Sequence, residues 1–250
     1  KCEELEEISI PSTIKEIGDE SFSRCIKLKN IDIPSSVLEI GSSAFNQCDS
    51  LISVNIQSQI TKIKKSTFAY CVSLTDIIIP DSVTYIGKKA FVSCRSLKQI
   101  KLPPSIKSIE SGTFFSCESL IEINIPDSVT IIKDNAFNSC HSLVKVSFPP
   151  SVTKIGENAF QKCSSLEEVS MPKVASIGLE AFDECFSLKK VYAGQSSYSY
   201  NFPSRVKIIR FREKEKKNNK SNYFDRELFP TKSKKSSITS DKDKKSANSS

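Results

Sequence analysis

Cysteine recurs in this chain at an almost fixed interval. Successive cysteines are separated by 23 residues seven times and then once by 22. A fixed period of this length indicates a solenoid, in which each repeat forms one coil and stacked coils bury one another. The nine positions are Cys2, Cys25, Cys48, Cys71, Cys94, Cys117, Cys140, Cys163 and Cys185.

The other apolar residues follow the same period. A Leu follows each cysteine by three residues, and an apolar pair, a frequent Pro, two further apolar positions and a frequent Gly come next. One repeat reads C-x-x-L-x-x-I-x-I-P-x-x-V-x-x-I-G-x-x-A-F-x-x. From the second cysteine onward, a Phe stands three residues earlier: Phe22, Phe45, Phe68, Phe91, Phe114, Phe137, Phe160 and Phe182.

Each part of the repeat predicts a local structure. The I-x-I pair alternates as a strand does, and the following Pro ends that strand because it has no N–H to donate. The V-x-x-I part predicts a second, shorter inward-facing stretch, and the Gly a turn with positive φ. The A-F-x-x-C-x-x-L part suits a short helical or 3₁₀ turn. We therefore expect nine main strands to form one parallel sheet roughly 40 Å long.

These residues resemble the repeats of the BspA-like, or treponemal-type, leucine-rich-repeat proteins. The resemblance covers about residues 2–193, where the repeat recurs in phase. It implies an α/β repeat solenoid, a leucine-rich-repeat horseshoe with a concave parallel sheet and 23-residue repeats. The departures are local: Gln57 replaces the Pro, and Lys64, Glu110 and Lys133 replace the Gly.

Charge divides the chain into two regions. Residues 212–250 carry 12 Lys+Arg and 6 Asp+Glu, whereas residues 1–211 carry 24 and 23. We expect a solenoid over 1–211, with a C-terminal cap at about 195–211 and a final edge strand within 205–211. The Ser/Lys-rich segment 212–250 is predicted to be a disordered basic tail. Its few apolar residues make nucleic-acid binding an unfavoured interpretation.

The composition disfavours catalysis, metal binding and a cofactor. The one histidine, His141, directly follows Cys140 in a predicted turn, where sequence neighbours do not face each other. There is no C-x-x-C for zinc, and the seven glycines form no phosphate-binding loop. The cysteines are expected to point into the core as reduced thiols, since stacked identical positions have parallel Cβ vectors. We expect no enzyme, no cofactor, no small-molecule substrate and no membrane span in this stretch.

Alternation along the main strands defines the candidate binding surface. Residues between the inward-facing apolar positions must point outward, and in leucine-rich-repeat proteins this face is the usual ligand platform. The alternatives of binding elsewhere, or of merely solubilising positions, stay open. The predicted protein-binding residues are Asn30, Asp32, Asn55, Asp76, Ile78, Gln99, Lys101, Glu122, Asn124, Lys145, Glu168, Lys190 and Tyr192.

The family resemblance implies a non-enzymatic protein-protein interaction module. BspA-like proteins are linked to cell surfaces and to adhesion, so a surface antigen or adhesin that contacts host or matrix proteins is one hypothesis. The alternative is an intracellular scaffold or adaptor, because nine reduced thiols suit a reducing compartment. The chain starts within the repeat pattern at Lys1, so we expect a fragment or a processed chain. A signal peptide or anchor upstream of Lys1 stays an open question.

Overall fold

A computed structural model describes residues 2–174, 176–194 and 202–210. Eight complete coils follow one another, and each is defined here as ending at a cysteine. Coil 1 covers 3–25 and coil 2 covers 26–48, and the coils continue in this way to coil 8 at 164–185. Each coil contributes, in order, a main-strand segment, a second strand and a turn that contains the repeated Phe.

The strands fall into two series. The second strands are two residues long and occur in all eight coils, as the V-x-x-I pattern predicts. They are β1 (Glu16–Ile17), β3 (Glu39–Ile40), β5 (Lys62–Ile63), β7 (Tyr85–Ile86), β8 (Ser108–Ile109), β9 (Ile131–Ile132), β11 (Lys154–Ile155) and β13 (Ser176–Ile177). The main strands are β2 (Asn30–Ile33), β4 (Ser53–Ile56), β6 (Asp76–Ile78), β10 (Lys145–Ser147), β12 (Glu168–Met171), β14 (Lys190–Ala193) and β15 (Lys207–Arg210).

All strand pairs are parallel, but the main strands do not form the single nine-stranded sheet that the repeat predicts. They form two sheets, ordered β2-β4-β6 and β10-β12-β14-β15. The segments 99–102 and 122–125 lie between these sheets, and only Glu122 forms an isolated bridge, with Lys145. Their apolar side chains are still buried. Side-chain burial therefore continues through the coils where the hydrogen-bond ladder is interrupted.

The turn that contains the Phe is not helical, so the α part of the expected α/β class is not confirmed. Among the described residues there is no helix. In every coil the residues two before and two after the Phe have positive φ, as at Glu20 (56°) and Arg24 (64°). These left-handed residues interrupt any right-handed helical run after a few residues. They also turn alternate amides toward the next coil, so that the Phe22 amide donates to the Ala44 carbonyl at 2.8 Å.

The Phe rings form the centre of the core. From Phe22 to Phe182, consecutive rings stack with centroids 5.0–5.7 Å apart and planes within 14° of parallel. The residue before each Phe is small, and from Ala44 to Ala181 it is buried. Stacked aromatic rings contribute more stabilising free energy than the burial of their surface area alone provides. The strict recurrence of Phe therefore follows from each ring packing on its own copy.

The Gly after the second strand does not supply the positive φ that the sequence predicts. Gly112 is the one described glycine with positive φ, and it lies elsewhere in the repeat. A Cβ at Gly87 would instead lie 2.7 Å from the backbone carbonyl carbon of Lys64 in the preceding coil. Where Lys64 and Glu110 occupy this position, their second strands β5 and β8 do not pair with the preceding coil. Lys133 is the exception, because β9 still pairs with β8.

The C-terminal end has its own packing. β15 pairs with β14, close to the edge strand predicted within 205–211. The ring of Phe202 lies 5.4 Å from that of Phe182, and Arg205 donates to the Cys185 carbonyl at 3.2 Å. The cap boundaries at about 195–211 and the disordered tail at 212–250 stay predictions, since 195–201 and 211–250 lie outside the described residues.

Candidate binding face

The outward side of the main-strand segments is the candidate binding face, named here the outward face. Strand pairing places its residues in register, one coil apart, so that Asp32 lies beside Asn55 and Asn55 beside Ile78. The strands alternate between buried inward and exposed outward positions, as predicted. In coils 2–6, nine of the predicted residues are exposed: Asn30, Asp32, Asn55, Asp76, Ile78, Gln99, Lys101, Glu122 and Asn124.

In coils 2–6 the outward face retains unused hydrogen-bonding capacity. Ser53 donates to Asn30 at 2.8 Å, and the Asn55 amide donates to Asp32 at 2.9 Å. Within the described residues, the carboxylates of Asp32, Asp76 and Glu122 form no ion pair. This half of the face therefore presents carboxylates and amides that are open to solvent, on strands in coils 2–4 and on the unpaired segments 99–102 and 122–125 in coils 5 and 6.

Two large or cationic residues interrupt this polar surface. Ile78 is 70% exposed, although its outward position is polar in the neighbouring coils 2, 3, 5 and 6. Lys101 reaches Asp81 at 3.3 Å, with both side chains largely exposed. A salt bridge so open to water contributes little to stability. Lys101 is therefore held only weakly by its partner.

In coils 7 and 8 and on β14, the charged residues of the outward face pair with one another, although the side chains of Lys145 and Lys190 stay nearly half exposed. Glu168 lies between two lysines of the adjacent strands, with Lys190 Nζ at 3.0 Å and Lys145 Nζ at 3.6 Å. The Glu168 side chain is only 17% exposed. Its hydrogen bond raises the pKa of Lys190, and its negative charge acts in the same direction. These three predicted binding residues therefore form ion pairs with one another.

The outward face is also covered in this half. Ser170 occupies an outward position of β12, where the alternation predicts exposure, yet its exposure is 0%. Its register neighbours on the two adjacent strands are Ser147 and Tyr192, and both are half-buried. Ser170 therefore departs from the exposure that alternation predicts for an outward position. Sequence alternation gives the side on which a residue lies but not what packs over it.

The cysteines have a structural role that the sequence did not reveal. From Cys48 onward, each thiol donates to the carbonyl of the Phe one coil earlier, at 3.1–3.2 Å, as Cys48 does to Phe22. Burial raises the pKa of Cys48 to about 12 and that of Cys94 well above its ordinary value. A thiol held in its protonated form is a poor nucleophile and metal ligand.

All nine cysteines are free thiols, as predicted, and eight of them are buried. Cys2 departs from the prediction because it is exposed. It precedes coil 1, and within the described residues a coil packs on one side of it only. The periodicity therefore predicts the position of Cys2 but not its solvent exposure.

The remaining chemical groups offer no second site. His141 is exposed, and its carbonyl accepts a hydrogen bond from the Ser165 amide. Within the described ranges, no group of three or more His, Cys, Asp or Glu side chains is arranged to hold a metal ion. Over the same ranges there is no helix long and apolar enough to cross a membrane. The outward face is the surface on which a functional proposal can rest.

The stacked coils, the parallel main strands and the exposed outward face define a leucine-rich-repeat solenoid. The sequence matches the family described as BspA type Leucine rich repeat region (6 copies), over residues 1–111 and 86–202. The chain belongs to this BspA-type leucine-rich-repeat family. A comparison with curated proteins finds no match.

Two solved bacterial structures are similar to this chain. A leucine rich cell surface protein from Faecalibacterium prausnitzii is 32% identical with a TM-score of 0.62, and the match covers 79% of this chain and 61% of that one. The leucine rich repeat protein of T. pallidum is 32% identical with a TM-score of 0.55, covering 72% of this chain and 76% of that one. This chain thus spans less than two thirds of the Faecalibacterium protein.

Proposed function

We propose that the solenoid is a non-enzymatic protein-interaction module that binds its partner through the outward face. The observation that carries this proposal is the set of nine exposed residues in coils 2–6, which the main-strand segments hold at regular spacing. Stacked coils set the backbone positions of these residues before binding, and a preformed backbone lowers the cost of association. The scarcity of aromatic and Arg anchors on this face favours a weak or multivalent contact.

A blocking experiment tests the use of this face. The double variant Asn55→Arg/Gln99→Arg places two bulky cations at exposed outward positions of coils 3 and 5. The matched control, Thr84→Arg/Thr153→Arg, adds the same charge at two exposed positions beside the second strands. Each purified protein is measured for binding to cultured epithelial cells and to a panel of matrix proteins. We expect the outward-face variant to lose binding and the control to keep it, and equal binding by both would contradict the proposal.

We further propose that the protein acts at the cell surface as an antigen or adhesin that contacts host or matrix proteins. Support comes from its family and from the similar Faecalibacterium prausnitzii protein, which is described as a cell surface protein. The buried, protonated thiols do not favour the intracellular alternative, because burial protects them in either compartment.

Antibody staining of the source cells, first intact and then permeabilised, tests the location. Signal on intact cells supports the surface role. Signal only after permeabilisation overturns it and supports the intracellular scaffold or adaptor.

A further inference from the structure

The charge of the outward face changes sign along the coils. At its two outward columns, coils 2–6 carry the acidic Asp32, Asp76 and Glu122 and one lysine, Lys101. In coils 7 and 8 and on β14 the same columns carry two lysines and one glutamate, which pair with one another. The outward columns of coils 2–6 therefore carry a net charge of −2 from three acids and one lysine, whereas two lysines and one glutamate leave the other half with a net charge of +1. A partner that gains from this face must bring positive charge to coils 2–6.

The carboxylates in this half have a defined spacing. Asp32, Asp76 and Glu122 lie in coils 2, 4 and 6, so each is two coils from the next. Asp32 and Asp76 lie on the sheet β2-β4-β6, in which neighbouring strands are about 4.8 Å apart. Glu122 does not lie in a strand, but the Phe rings continue to stack at 5.3–5.7 Å per coil from Phe91 to Phe137. The carboxylates therefore lie at steps of roughly 10 Å along the solenoid axis. Asp76 and Glu122 share one outward column, whereas Asp32 is displaced by two residues along its strand. A Lys side chain is long and flexible enough to span that displacement.

A polyproline II helix has the same repeat. It has three residues per turn and a rise of about 3.1 Å, so residues i, i+3 and i+6 lie on one side at steps of about 9.3 Å. Ile78, which lies beside the line of carboxylates, offers an apolar surface to the residues between the lysines. We propose that coils 2–6 of the outward face bind a lysine-rich segment of a partner protein in polyproline II conformation, with Lys at every third residue. This inference rests on the proposed function and specifies the chemistry of its ligand.

Lys101 is the one unfavourable group in this half, and it permits a test with a gain of function. Its pairing with Asp81 is exposed and weak, so it repels an incoming lysine. Replacement by Glu would remove this repulsion and add a fourth carboxylate. The proposal therefore predicts that Lys101→Glu binds the lysine-rich segment more tightly than the wild type does.

Synthetic peptides test the proposal with the full chain. The probe contains three Lys-Pro-Pro units, and one control peptide has the same composition with its three lysines adjacent. A second control peptide replaces each Lys by Glu. Fluorescence anisotropy at low salt measures affinity. We expect the probe to bind best, the adjacent-lysine peptide to bind more weakly and the Glu peptide not to bind.

Protein variants test the site. The variant Asp32→Asn/Asp76→Asn/Glu122→Gln removes the three carboxylates. We expect it to lower the affinity for the probe peptide by about tenfold. The control Asp49→Asn/Glu157→Gln/Asp183→Asn removes the same charge at exposed positions outside the outward columns and should bind as the wild type does. Equal loss in both variants, or equal affinity for both lysine peptides, would show diffuse attraction and overturn the proposal. Preference for the Glu peptide would overturn it as well.

The two proposals fail in different ways. If no lysine peptide binds, while Asn55→Arg/Gln99→Arg still abolishes binding to cells or matrix, the ligand chemistry is wrong and the proposed face remains. If neither the peptides nor the cells and matrix proteins depend on the outward face, both proposals are wrong.

Discussion

The Phe stack and the outward face follow the same 23-residue period, yet the residue type is constant in the stack and varies on the face. The Phe recurs in all eight coils, whereas the residues at the outward positions vary along the coils. A buried ring must fit its own copy on either side, so any change disturbs two contacts. An outward residue that faces solvent has no such requirement. Residues that are identical in every coil therefore form the contacts between coils, whereas positions that vary are free to take residues that bind a partner.

The test with the largest expected effect on stability is the removal of one ring from the stack. Phe114 is fully buried between Phe91 and Phe137, with centroids 5.7 and 5.3 Å away. We expect Phe114→Ala to lower the free energy of unfolding by about 3–5 kcal/mol, because it removes a large side chain and leaves a cavity in the stack. Urea denaturation followed by circular dichroism measures the loss.

Phe114→Leu serves as its control. Leu fills much of the same volume but cannot stack, so its loss should be smaller than that of Ala. A loss below about 1 kcal/mol for Phe114→Ala would contradict a core centred on the rings.

The second test concerns the contact between coils at the repeated Gly. A Cβ at Gly87 would meet the backbone of Lys64, whereas nothing lies within 4 Å of a Cβ at Gly18. We expect Gly87→Ala to destabilise the protein by about 1–3 kcal/mol through overpacking. Gly18→Ala should be neutral or stabilising by up to about 1 kcal/mol, because Ala restricts the unfolded chain. Equal changes in thermal stability would refute the close-packing role.

The third test removes one thiol from its hydrogen bond to a Phe carbonyl. Cys48 donates to Phe22 at 3.1 Å, so Cys48→Ala should cost about 1–2 kcal/mol at pH 7. The thiol also makes stability depend on pH. Burial raises the pKa of Cys48 from 9.0 to about 12, so the unfolded chain loses this proton first as the pH rises. Stability is then fully retained below pH 9 and decreases between pH 9 and 12.

The variant should therefore lose less stability than the wild type over the same pH range. Each such thiol contributes at most about 1.4 kcal/mol per pH unit to the decline. Parallel curves for wild type and Cys48→Ala from pH 9 to 12 would contradict the buried, protonated thiol.

The regular part of the fold could be predicted because each buried residue type meets its own copy. The second strands, the buried apolar pairs and the inward thiols all follow from the period and from alternation. The conformation of the turn containing the Phe could not be predicted in the same way. Residues such as Glu20 and Arg24 take the left-handed conformation there, although neither is a Gly. The Gly that the sequence does repeat has a packing role, which depends on how closely adjacent coils approach.

The candidate site could be predicted as a list of positions but not as a surface. Alternation placed Asp76 and Glu168 on the same outward side. It could not show that Glu168 would be enclosed by two lysines, nor that Ser170 would be fully buried. Both outcomes depend on side chains of neighbouring coils and on what packs over the strand. The division of the outward face into an acidic half without ion pairs among its carboxylates and a half whose charges pair with one another therefore emerges only from the structure.

The smallest test separates these two halves of the outward face. Glu168 is largely covered and pairs with Lys145 and Lys190, so Glu168→Gln leaves two lysines facing each other across one strand. We expect a loss of less than about 1 kcal/mol, still larger than that of Asp76→Asn, which should lie within about 0.5 kcal/mol of wild type. The pKa of Lys190 should also fall toward its ordinary value in Glu168→Gln, which NMR titration measures. A greater loss for Asp76→Asn would mean that Asp76 is engaged within the fold and is not available to a ligand.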